Sequence, residues 1–144
     1  MINRDQFITD FRGETLGTVH ETSSVEEKFQ NETLRPILKL QNDLFLELFR
    51  QYFIKTKNTF YTVKNSKKPA YIDQIFQTDI KFMNLLRGVI IGLLKVDEYI
   101  VYAHNTANIN RRITTLLSER IRSQIHLFDS SYKAVVEDED LSNV

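Results

Sequence analysis

The chain contains no cysteine, only two prolines and four glycines, and no apolar run longer than Val89 to Leu94. Without cysteine there is no disulfide framework, no thiolate zinc site and no cysteine nucleophile, which suits a reducing compartment. With Gly13, Gly17, Gly88, Gly92, Pro36 and Pro69 as the sole breakers, tight turns are few, and a many-stranded sheet would need more of them. The run at Val89 is too short to span a bilayer and is bracketed by Arg87 and Lys95. Met1 to Asp5 lacks the basic start and apolar stretch of an export signal. These absences predict a cytoplasmic protein with no membrane partner.

What is present is ordinary for a globular chain: 144 residues, 42% hydrophobic and 26% charged. That length suits one domain and buries about two thirds of the unfolded surface. Net charge is zero but unevenly spread. Residues 1–34 sum to −4, 35–68 to +6, 69–104 to −1, 105–128 to +3 and 129–144 to −4. Such alternation fits a bundle compensated within itself, or a mildly anion-binding surface.

The apolar residues recur at helical spacing. Asn3 and Gln6, followed by Phe7 and Phe11 and stopped by Gly13, predict a helix over 4–12. Residues 13–23 read as a loop, and Ser24 with Glu27 as a capping box opening the next helix. Pro36 either begins a new helix or kinks a longer one. Beyond it, Leu38, Phe45, Phe49 and Tyr52 form one stripe, with Ile37, Leu40, Leu44 and Leu48 a second beside it, as a central helix requires. Residues 56–68 read as a solvated connection in which Phe60 is available for a local turn. From Pro69 a seam of Ile72, Phe76, Asp79, Met83, Leu86, Ile90 and Leu93 continues, with one acid in it. Asp97 is placed to cap a helix through Ala103, and 104–108 is either a turn or a polar interruption. Ile109, Ile113, Leu117, Ile121 and Phe128 complete the pattern. The expectation is an all-α bundle of four to five helices, two or three of them long, over residues 1–134, with an acidic, disordered tail at 135–144.

Chemistry-bearing patterns are sparse. His20, His104 and His126 are the candidate metal ligands, but neither Glu-x-x-His nor His-x-x-x-His occurs, so no metal or other cofactor is expected. Asp79 is the candidate catalytic acid or base; its place on an apolar seam demands a hydrogen-bonding or basic partner. Gly88 and Gly92, four apart within a helix, are the candidate interface, since small residues admit a second backbone closely. Arg111 and Arg112, opening a helix near Asn108, are the candidate nucleic-acid contacts. No phosphate loop, nucleophile elbow or dinucleotide fingerprint is present, and the balance is against an enzyme.

The runs Glu27 to Asp43, Asp79 to Phe82 and Glu119 to Ile125 resemble a small bacterial family of uncharacterised proteins of this length, sometimes labelled glyoxalase. The resemblance covers residues 1–128 and implies a shared fold. Proteins similar to glyoxalase I carry His and Glu ligands on βαβββ units, a pattern this helical sequence does not share, so no catalytic residue is carried over. The function expected is a non-catalytic helical module that self-associates, most simply as a homodimer. The alternatives are a small-ligand pocket or enzyme site near Asp79, and nucleic-acid binding through the helix near Asn108.

Overall fold

The computed structural model describes residues 3–12 and 23–128. Gly13, Gly17, His20 and the acidic stretch at 135–144 lie outside the described residues. Within them the protein is all-α, with eight α-helices and no strand, so the bundle is divided into more pieces than the expected four to five. In chain order they are α1 (Arg4–Arg12), α2 (25–40), α3 (Asn42–Lys55), α4 (Thr59–Thr62), α5 (Lys68–Thr78), α6 (Ile80–Ile91), α7 (Val96–His104) and α8 (Thr106–Ser123). Short 3₁₀ turns, Asn65–Lys67 and Ile125–Leu127, precede α5 and follow α8.

The larger number has one cause. Three of the breaks are a single residue long: Gln41 (φ −93°, ψ 7°), Asp79 (φ −99°, ψ 86°) and Asn105 (φ −135°, ψ 31°). All three have negative φ, which any L-residue adopts, so the chain turns there without glycine or proline. The seam from Ile72 to Leu93 is therefore two helices meeting at Asp79. Likewise the break at Gln41 leaves Leu40 and Leu44, of the expected second stripe, exposed. The left-handed turn after α3 also uses no glycine: Lys57 (φ 61°) and Asn58 (φ 59°) take it, and asparagine tolerates that region best among side-chain-bearing residues.

Pro36 stands in the first turn of the α-helical segment Arg35–Leu40, one of its two expected places, without interrupting the helix that leads into it. The chain runs helically from Val25–Phe29 through a π-helical turn, Gln30–Leu34, into Arg35–Leu40. A proline inside an α-helix removes one N–H and drives its ring against the carbonyl four residues back, here that of Glu32. Widening the preceding turn to i→i+5 spacing accommodates both, at the cost of one extra residue in the turn.

The core is aromatic at its centre. Phe45, Phe49 and Phe53 of α3 are wholly buried, as are Phe60, Ile72, Leu86, Ile90, Ile109, Leu117 and Ile121. The Phe49 ring lies 5.0 Å from Phe82, 5.7 Å from Phe76, 6.0 Å from Phe53 and 6.5 Å from Phe128. Phe53 and Phe60 stack in parallel with centroids 4.0 Å apart. The segment 56–68 is thus a correction: α4 carries Phe60 into the core, so this stretch is not a solvated connection. Long α8, amphipathic over 18 residues, packs along α5. No helix among the described residues is long and apolar enough to cross a membrane.

Candidate functional site

The most built polar site joins α1, α2 and α7. The last carbonyls of a helix lack intrahelical donors, and cations are favoured beside them. At the end of α6 the helical carbonyls are closed by a turn, and the carbonyls of that turn, Gly92 to Leu94, are met by arginines of α1. Arg4 donates to Leu94 O (2.7 Å) and Gly92 O (3.1 Å), and Arg12 Nη1 to Leu93 O (3.3 Å). On the same face of α1, Asp5 accepts from Val96 N (3.2 Å) at the start of α7.

Arg12 then reaches a carboxylate. Both of its terminal nitrogens donate to Glu98, one at 2.9 Å, in a bidentate pair whose side chains are only 7% and 13% exposed. Glu98 also accepts from Lys95 N (2.8 Å), half of a capping box that makes Lys95, not Asp97, the N-cap of α7. Its second oxygen accepts from the Thr33 hydroxyl (2.8 Å). Burial pushes the Glu98 pKa up, but the donors from Arg12, Lys95 and Thr33 and the Arg12 charge outweigh it and hold the carboxyl below its ordinary value. With both oxygens occupied and the charge retained, Glu98 is an anchor and not a proton acceptor. Above the pair lies an open cleft of about 490 Å³, lined also by Thr9, Lys28, Phe29, Lys95 and Val101. Arg12 Nε faces no hydrogen-bond partner among the described residues.

Asp79 has the partner the seam demanded, but it is an uncharged one. Half-buried at the N-cap of α6, it accepts from Phe82 N (3.0 Å) and from the Tyr52 hydroxyl (2.8 Å). The Phe82 N–H and then Tyr52 hold its carboxyl below the ordinary range, while burial and then Asp79 push the Tyr52 phenol up to about 12. The Tyr52 ring stacks on Phe82 with centroids 4.3 Å apart. Asp79 lines neither the cleft above Glu98 nor any of the three smaller or shallower hollows along α8.

The other candidates fall on separate surfaces. His104, in the last turn of α7, and His126, in the final 3₁₀ turn, are exposed, and no group of three His, Asp or Glu suited to a metal occurs among the described residues. Gly88 and Gly92 are exposed at the end of α6. A Cβ at Gly88 would meet nothing within 4 Å, and at Gly92 only backbone of the same helix, so neither glycine admits a neighbouring helix within this chain. Arg112 donates to Gln30 (2.9 Å) on α2, and Arg111 to Asn108 of its own helix. Both line a groove of about 500 Å³ that also holds Glu26. The Glu26 carboxyl is held below its ordinary value, first by its own backbone N–H, then by Asn108 and the charge of Arg112.

Comparison with protein-family models, curated proteins and solved structures finds no match to this chain. The sequence marks Glu98 as a favourable helix-start acid but gives no sign of its pairing with Arg12, 86 residues away. The only local signal is the capping-box spacing from Lys95 to Glu98.

Proposed function

We propose that this protein is a non-catalytic helical interaction module that pairs with a second copy of itself through the outward face of α7. The observation that carries this is the composition of that face. Val96, Tyr99 and Ile100 follow one another at i, i+3 and i+4, are 59%, 49% and 52% exposed, and are continued by exposed Ala103. A helix on the surface of a monomer ordinarily turns a polar stripe to water, and this one turns an apolar stripe. The stripe carries no charge of its own, so a two-fold arrangement laying it against its copy brings no like charges together. Covering the exposed half of each such side chain contributes about 1 kcal/mol, and symmetry doubles the set, against an association cost of about 4–15 kcal/mol. The exposed Phe7 and Phe11, stacked at 5.6 Å on α1, add apolar surface of the same kind.

Sedimentation equilibrium on the full chain tests this. A concentration-dependent dimer is expected, with Ile100→Glu monomeric and unchanged in helix content. A wild-type chain that stays monomeric at high concentration overturns the reading.

A second reading, small-ligand binding, draws on the cleft above Arg12 and Glu98, whose volume lies in the range of small-molecule sites. It takes the place of the pocket expected near Asp79, whose carboxylate oxygens are already engaged. Nucleic-acid binding gains less support, because Arg112 is tied to α2 and Glu26 shares its groove. The glyoxalase-labelled resemblance adds a fold expectation and no site residue to these readings.

A further inference from the structure

Arg35 and Arg120 line one cavity from two helices. Arg35 lies just after the π turn of α2 and Arg120 in the last turns of α8. With Leu38, Ser123 and Gln124 they border a space of about 350 Å³. No carboxylate among the described residues is within ion-pair distance of either guanidinium. Each is positioned instead by a neutral amide: Arg35 Nε donates to Asn31 Oδ1 (3.0 Å), and Arg120 Nη1 to Asn42 Oδ1 (3.3 Å). Asn42 is itself fixed by exchanging two amide hydrogen bonds with Gln124, both 2.8 Å. Amide oxygens orient the two cations without cancelling them. Burial, and then the nearby charge of Arg35, hold Arg120 below the ordinary arginine pKa.

Two fixed cations around an open space are complemented by an anion with several oxygens. A guanidinium is always charged and presents a planar fork of donors matched to oxyanions. A single carboxylate fills one such fork, whereas a phosphate ester offers three oxygens and close to two negative charges. Glu119, on the same cavity, and the negative end of the α8 dipole both oppose an anion, but the two arginines leave the lining at net +1. The space is roughly ten times the ~30 Å³ a water takes in the liquid, leaving room for the organic part of an ester.

We propose that the Arg35/Arg120 cavity binds the phosphate group of a small phosphomonoester. Calorimetry on the full chain at matched ionic strength, with phenyl phosphate, inorganic phosphate, malonate and chloride as probes, tests it. Saturable binding of phenyl phosphate is expected, at least tenfold tighter than malonate, and falling at least tenfold in Arg35→Lys and Arg120→Lys. Amide chemical shifts of the wild-type chain provide a readout independent of the variants, and phenyl phosphate should move Arg35, Arg120, Ser123 and Gln124. Equal or tighter binding of malonate, an effect that chloride reproduces, shifts gathered at Arg111 and Arg112 instead, or no saturable binding each overturn the proposal.

Discussion

Glu98 shows how much one side chain can hold. Three helices meet at its carboxylate, through Arg12 of α1, Thr33 of α2 and the backbone of Lys95 ahead of α7. Removing one partner of a buried pair leaves the other charge uncompensated, so Glu98→Gln should lower stability by about 3–5 kcal/mol at neutral pH, read from urea unfolding. The same group sets an acid limit. Its folded pKa lies below the ordinary 4.5, so its contribution is fully present above that value and is lost as pH falls through the folded one. Wild type should therefore lose stability below about pH 4.5 more steeply than the glutamine variant, and parallel pH profiles would refute that. Nothing in the sequence near Glu98 announces Arg12. The caps at Asn3 and Ser24 are legible because donor and acceptor are three residues apart, with Gln6 N and Glu27 N bonded at 3.1 Å in each.

At the level of the helix, periodicity is readable and interruption only in part: the polar run 104–108 offers the turn found at Asn105, and Pro69 the start at Lys68. The apolar positions of α8 and α6 follow from spacing alone, yet breaks at Gln41, Asp79 and Asn105 carry no glycine or proline to mark a turn. Asp79 is conspicuous as an acid on an apolar seam; that it caps the next helix follows only once the seam is seen to break there. Gly88 offers a clean test. It occupies an exposed helix position where an added Cβ would have no atom within 4 Å, so Gly88→Ala should stabilise the fold by about 0.5–1 kcal/mol, measured as a rise in Tm. A fall in Tm that grows with protein concentration would instead place this glycine between two copies. The π turn gives a second test. Deleting one residue within 30–34 removes the extra residue and returns α spacing with the helix beyond still in phase, but it sets the Pro36 ring against the carbonyl four residues back, at a cost of about 3 kcal/mol. Ile37 and Leu38, at 0% and 1% exposure, would keep facing the core, so the loss comes from the proline and not from a rotated helix. The expected outcome is a circular dichroism spectrum still helical and a sharply lowered Tm.

Taken whole, the molecule is organised around α3, and its aromatic centre explains why. Phe49 touches four other phenylalanine rings from α3, α5, α6 and the chain beyond α8, so Phe49→Ala should cost about 3–5 kcal/mol in urea unfolding. A loss under about 1 kcal/mol would mean the core closes over the gap. The central helix is visible in the sequence because its wide apolar face is local, whereas the capture of Phe60 depends on a turn at Lys57 and Asn58 that has no glycine to flag it. The docking of α1 has a further consequence for how the chain is made. Apart from Glu32, its polar partners across the fold, at Gly92, Leu93, Leu94, Val96 and Glu98, leave the ribosome 81 or more residues after the α1 side chains they meet. At about 5–20 residues per second, the first helix waits roughly 4–17 s before the seat it will occupy exists. During biosynthesis the polar seat of α1 is thus completed long after α1 itself is made, and its buried Ile8 lacks its final surroundings in the meantime.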